Sequence, residues 1–108
     1  MKIFKNKRQL RSEIGNTKSI SFIPTMGGLH KGHISLIKTA KKYTNKTLVS
    51  IYVNPKQFNK EEDYKKYPRN LVKDLKILKR LRVNYLYLPT YKDLFRFKPL
   101  NKIYLHKF

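Results

Sequence analysis

The chain has 108 residues, with 26 Lys plus Arg against six Asp plus Glu, a formal net charge of +20 and no Cys. A chain of this length can bury only one modest core, and the missing cysteines exclude a disulfide framework, a thiolate nucleophile and a sulfur-ligated metal site. With 40% hydrophobic and 13% aromatic residues the chain is too apolar for intrinsic disorder, and no apolar run approaches the roughly 20 residues that span a bilayer.

The beginning of the chain predicts a helix followed by a strand. Residues 6–14 suit a short helix, and we expect Gly15 to end it in the left-handed conformation. Residues 18–23 alternate between polar and apolar side chains, which predicts a strand ending at Pro24.

The middle of the chain predicts a strand-helix-strand crossover. A glycine-containing turn over residues 25–32 leads into residues 33–43, where apolar side chains recur at helical spacing. Residues 47–53 are β-branched and almost all apolar, which is typical of a strand covered on both faces in a parallel sheet.

The pattern then repeats with a second helix and a third strand. After a polar loop over residues 54–67, Pro68 can open a helix. Its core positions would be Leu71, Leu75, Leu78 and Leu81. Residues 83–88 predict a strand that ends before Pro89. The alternation predicts an α/β fold with a doubly wound parallel sheet.

The strong positive charge raises the possibility of a nucleic-acid-binding module. Twenty of the 26 basic residues are Lys, and they are spread along the whole chain without an arginine-rich arm or a basic helix face. This distribution argues against specific nucleic-acid recognition. The first ten residues carry charge with no apolar segment behind them, so they are no secretory signal, and we expect a cytoplasmic protein without a membrane partner.

The segment between the first predicted strand and the following helix has the strongest functional signal. Ligands of such sheets bind beyond the carboxyl ends of the strands, and residues 24–33 combine a glycine turn, His30 and His33 with a helix N-terminus. Backbone N–H groups there would form an anion site, with the glycines allowing close approach of phosphate and the histidines as side-chain donors. Without a cysteine or a nearby carboxylate as a third ligand, we expect no metal site.

Four ordered blocks resemble the pantothenate synthetase family, also called pantoate–β-alanine ligases, of the HxGH nucleotidylyl-transferase superfamily. They are residues 22–33 (FIPTMGGLHKGH), residues 49–58 (VSIYVNPKQF), residues 62–69 (EDYKKYPR), and Asp74 with Leu75 in the following helix. Residue 28, more often Ala or Asn in the family, is Gly here. The resemblance covers roughly residues 1–95 and implies a Rossmann-like fold.

The resemblance implies ATP-dependent ligation of pantoate and β-alanine to pantothenate through an enzyme-bound pantoyl adenylate. It assigns ATP, bound with Mg²⁺, to Met26, Gly27, Gly28, Leu29, His30, Lys31, Gly32 and His33. His33 and His30 would be catalytic, with His33 as proton donor to the leaving group. Pantoate and β-alanine would bind at Gln57, Pro24 and Met26. An alternative is another small nucleotidyltransferase of the HxGH superfamily.

Family enzymes continue well beyond 108 residues and form homodimers, so we expect residues 1–108 to be the N-terminal part of the nucleotide- and pantoate-binding domain. We therefore expect the isolated chain to show no ligase turnover. We also expect a sheet that is cut after its third strand to leave an unpaired apolar edge where the next strands would add, and such an edge favours aggregation.

Overall fold

The computed structural model describes residues 1–52, 70–90 and residue 93. Helices and strands alternate along these residues: β1 (Lys2–Phe4), α1 (Lys7–Ile14), β2 (Ile20–Thr25), α2 (Lys31–Tyr43), β3 (Lys46–Ile51), α3 (Leu71–Arg80) and β4 (Tyr85–Tyr87). The four strands form one parallel sheet in the order β1-β4-β3-β2. No helix in the described ranges is long and apolar enough to cross a membrane.

Helices cover both faces of this sheet, so the predicted doubly wound α/β fold is confirmed. On one face α2 and α3 pack against the strands through a cluster of buried side chains: Ile23, Leu29, Ile37, Val49, Leu78, Val83 and Leu86. On the other face α1 contributes Leu10, which packs with Leu48, Tyr85 and Tyr87. Adjacent strand residues serve opposite cores, because successive side chains of a strand point to opposite faces.

Strand β3 is the buried centre of the sheet, as its apolar sequence predicts. Its four residues from Thr47 to Ser50 are all buried, and it pairs with β2 on one side and β4 on the other. Ile23, Val49 and Leu86 are register partners across the three strands. The strand ends at Ile51, and the last predicted residue, 53, lies outside the described residues.

The sequence pattern does not predict strand β1, which extends the sheet beyond β4. Lys2 pairs with Tyr85 and Phe4 with Tyr87, and the amide of Leu88 donates to the Phe4 carbonyl at 2.8 Å. Strand β1 therefore pairs with the side of β4 that faces away from β3, and the outer strands of the described sheet are β1 and β2. The unpaired edge that we expect where further strands would add, and the aggregation that it favours, stay predictions.

Two further predictions about chain-breaking residues are wrong. Gly15 follows α1 with φ −54° and ψ −30°, so it is right-handed, and a Cβ there would lie 3.0 Å from the carbonyl oxygen of Arg11. Pro24 does not end β2 but pairs with Ser50 inside it. The carbonyl of Thr25 accepts from β3's continuation at Tyr52, so the Pro24 nitrogen faces away from β3, where a missing N–H costs no sheet bond.

The helix starts depend on capping side chains more than on proline. Asn6 caps α1 by accepting from the Arg8 amide at 2.7 Å, and Asn70 caps α3 by accepting from the Lys73 amide at 3.0 Å. Helix α3 thus begins at Leu71, and Pro68 lies outside the described residues. Helix α2 begins at Lys31, two residues before the predicted start.

We predict that Leu86→Ala lowers the free energy of unfolding by about 2–5 kcal/mol, the range for a large side chain removed from a packed core. Leu86 has 0% exposure in the middle of the sheet. Val72→Ala, at a position with 65% exposure, is the control and should change stability by less than about 0.5 kcal/mol. Chemical denaturation measures both, and equal effects would contradict the assigned core.

Candidate functional site

The glycine loop, residues 26–30, connects the carboxyl end of β2 to the start of α2 and lies beside the end of β3. Thr25 fixes its first residues: the Thr25 hydroxyl donates to the Ser50 carbonyl at 2.9 Å and accepts from the Gly27 amide at 3.2 Å. The loop therefore leaves the sheet from a buried, hydrogen-bonded position at the edge where ligands of this fold class bind.

Both glycines of the loop have backbone conformations that other residues rarely adopt. Gly27 has φ +82° and Gly28 has φ +62°. At Gly27 space is also limited, because a Cβ would lie 3.2 Å from Cγ2 of Ile51 and 3.3 Å from Oδ2 of Asp74. Glycine is thus required here by the protein's own packing and backbone geometry.

The carboxylate of Asp74 anchors the loop from helix α3. Asp74 is 2% exposed, and its two oxygens accept from the Gly28 amide at 3.0 Å and the Leu29 amide at 2.9 Å. The side chain of Leu29 packs into the core beneath. Two amides of the segment that we expect to bind an anion thus already donate to a carboxylate of the protein itself.

The histidines organise the start of helix α2. His30 is the N-cap residue, and its Nδ1 accepts from the Gly32 amide at 3.0 Å. The His30 amide in turn donates to Nδ1 of His33 at 3.2 Å, which completes a reciprocal capping arrangement. The two rings lie 4.1 Å apart between centroids. A Cβ at Gly32 would lie 2.9 Å from the His30 ring, so this glycine makes room for the cap.

These hydrogen bonds determine the tautomer of both imidazoles. Each Nδ1 is an acceptor, so it carries no proton, and in the neutral ring the proton lies on Nε2. Burial lowers the pKa of His33 below its usual value, His30 lowers this pKa further, and Asp74 opposes the shift. With Nδ1 of each ring occupied by a backbone amide, the pair presents two Nε2–H donors.

The structure brings most of the predicted site residues onto one continuous segment. Pro24 and Met26 are partly buried, whereas Lys31 is exposed in the first turn of α2. Gln57 lies outside the described residues. The family blocks mark Asp74 in a helix but give it no role, because its contacts are 45 and 46 residues away in the chain. In the parts of the chain that are described, no cluster of three acidic, His or Cys side chains could hold a metal ion.

Comparison with known proteins identifies relatives of nearly the whole chain. The sequence model of the family "Pantoate-beta-alanine ligase" matches residues 2–107. Pantothenate synthetase of Thermosipho africanus is 46% identical over 94 residues, and that of Francisella philomiragia is 48% identical over 98 residues. These matches cover 87% and 88% of this chain but 34% and 38% of the relatives, so the chain spans little more than a third of their length.

Solved structures agree with this assignment. The pantoate–β-alanine ligase of Francisella tularensis, complexed with β-γ ATP and β-alanine, superposes with a TM-score of 0.84 at 43% identity. It matches 99% of this chain, which covers 42% of that protein. The corresponding enzyme of Thermus thermophilus gives a TM-score of 0.81 at 31% identity, with 99% of this chain matched and 38% of that protein covered. The shared fold includes the sheet and the glycine loop described above.

We predict that His33 makes stability depend on pH below its unfolded pKa of about 6.5. The folded protein lowers this pKa, so the unfolded chain binds more protons as pH falls, and the free energy of unfolding falls with it. Above pH 6.5 the contribution is constant. Denaturation at several pH values, compared with His33→Gln, measures it, and a wild-type advantage that grows towards acid pH would contradict the assignment.

Proposed function

The chain belongs to the pantoate–β-alanine ligase family, and on that premise we propose that it forms part of the ATP and pantoate site of the ligase reaction. In this reaction the pantoate carboxylate attacks the α-phosphorus of ATP, and pyrophosphate leaves. The amine of β-alanine then attacks the acyl carbon of pantoyl adenylate, which gives pantothenate and releases AMP. The observation that carries the proposal is the pair of capping histidines at the carboxyl ends of the strands.

The two imidazoles suit the first step electrostatically. Negative charge builds up on the phosphoryl oxygens and on departing pyrophosphate, and fixed donors stabilise it without reorganising during the reaction. His30 and His33 would supply Nε2–H donors, because their Nδ1 atoms are held by backbone amides. The negative phosphates of ATP would raise the pKa of His33 again, so that a proton acquired there can pass to the leaving pyrophosphate.

The residues of this segment would serve two purposes, direct contact with the ligands and support of the loop conformation. The proposed ATP contacts are Met26, Gly27, Gly28, Leu29, His30, Lys31, Gly32 and His33. Gly28 and Lys31 are exposed and can approach the polyphosphate directly, whereas Gly27 and Leu29 are buried and hold the loop in place. Pantoate would lie against Pro24, Met26 and Gln57, whose neutral amide can donate to a carboxylate without adding charge.

Three further properties form part of the proposal. Mg²⁺ enters with ATP and is held mainly by its phosphates, as is usual for this ion. The protein works in the cytoplasm, where ATP and the two acids are available. The family resemblance supports a homodimer. The binding partners are thus small molecules and a second copy of the protein, with no specific nucleic acid.

We predict that His33→Ala slows adenylate formation by about 10²–10⁴-fold, the range for a lost acid or oxyanion-type donor. The assay uses a protein in which this chain replaces the matching segment of the Francisella tularensis ligase. Pantoate-dependent exchange of pyrophosphate into ATP is the readout. Lys38→Ala, an exposed change on α2, is the control. Exchange without pantoate would favour another nucleotidyltransferase, and an unchanged rate in His33→Ala would remove His33 from the mechanism.

We predict that Gln57→Ala weakens pantoate binding by about 1.5–3 kcal/mol, the value of a hydrogen bond to a charged group. ATP binding should change little, because the amide is proposed to face the acid and not the phosphates. Calorimetry with each ligand separately makes the comparison. Equal losses for pantoate and ATP would refute the assignment.

A further inference from the structure

Asp74 is a buried carboxylate that the proposed chemistry does not use. The chain has 26 basic residues and six acidic ones, yet this acidic side chain is 2% exposed. Its neighbours on α3 are exposed on one side of the helix, whereas Asp74 faces the glycine loop. Burying an ionised carboxylate is costly unless hydrogen bonds satisfy it, so its two amide partners are essential for its position.

We propose that Asp74 is the positioning residue of the nucleotide site: from α3 it fixes the glycine loop and, through the loop, the two imidazoles at the start of α2. This inference rests on the proposed function for its consequence in catalysis. Asp74 itself contacts no reacting atom in this scheme. Its carboxylate accepts hydrogen bonds from two loop amides, as a bound anion would.

The geometry gives each carboxylate oxygen a separate amide. The Gly28 amide donates to Oδ2 and the Leu29 amide to Oδ1, so the plane of the carboxylate and the path of the loop are fixed together. An asparagine side chain has one acceptor oxygen, and its NH₂ group would face an N–H donor. One of the two loop amides would then lose its protein hydrogen-bond acceptor.

The loop transmits this position directly to the histidines. Leu29 immediately precedes His30, the N-cap of α2, and the His30 amide holds Nδ1 of His33. A shift of the Leu29 amide therefore moves the cap and both rings. The charge of Asp74 also acts on His33, where it opposes the lowering of the pKa by burial and by His30.

The test compares Asp74→Asn with Asp74→Glu in this chain, with Glu13→Gln as the control for removal of a carboxylate on the other face of the sheet. Glu13 pairs with Lys2 at 2.6 Å and makes no contact with the loop. NMR titration of the His33 ring measures its pKa, and calorimetry measures ATP binding. We expect Asp74→Asn to lower the His33 pKa further and to weaken ATP binding about tenfold or more. Asp74→Glu keeps the charge and should retain more of the His33 pKa, whereas Glu13→Gln should change neither quantity.

Hydrogen exchange of the wild-type chain provides a test that does not depend on a variant folding. Gly28 is exposed, so its amide should exchange quickly unless Asp74 holds it. Slow exchange of both loop amides supports the proposal, and fast exchange of the Gly28 amide overturns it. An unchanged His33 pKa in a folded Asp74→Asn also overturns it. Absence of ATP binding by every form, with the exchange and titration results as expected, would refute the proposed function but leave the anchoring by Asp74 established.

Discussion

The hydrogen bonds between the Asp74 carboxylate and two loop amides are the constraint on which the site depends. They join helix α3 to the loop that begins helix α2, although the two segments are 45 and 46 residues apart. The bonds require the carboxylate to be buried, and the resulting close approach excludes a side chain at Gly27. The contacts of the loop with Asp74 and with the sheet therefore fix its conformation without a bound ligand.

Backbone amides at the start of α2 fix the orientation of both histidine rings. A helix N-terminus usually offers backbone amides to anions, but here the Gly32 and His30 amides donate to the imidazole Nδ1 atoms. These two amides are therefore already paired, and the Nε2–H groups of the imidazoles are the side-chain donors at this helix start. The lowered pKa of His33 favours the uncharged form of a ring that lies 4.1 Å from the ring of His30.

Sequence reasoning identified the features that depend on local pattern and missed those that depend on distant contacts. The apolar run of β3 and the helical spacing of α2 predicted both elements, and the family blocks identified the loop. Strand β1 has three residues, too few for an alternating pattern, and it exists because it pairs with β4 more than 80 residues later. Asp74 resembles an ordinary surface residue of an amphipathic helix. Only the folded chain shows that it turns inward, and Gln57 stays a prediction.

Both capping histidines use Nδ1 to accept from a backbone amide and therefore carry a proton on Nε2, the atom that we propose contacts the phosphates. Long-range ¹H–¹⁵N correlation spectra of the chain, recorded at neutral pH with and without ATP, test this assignment most directly. We expect an unprotonated Nδ1 and a protonated Nε2 in His30 and in His33, with ATP perturbing the Nε2 signals of both. A proton on Nδ1 of either ring in the free protein would contradict it.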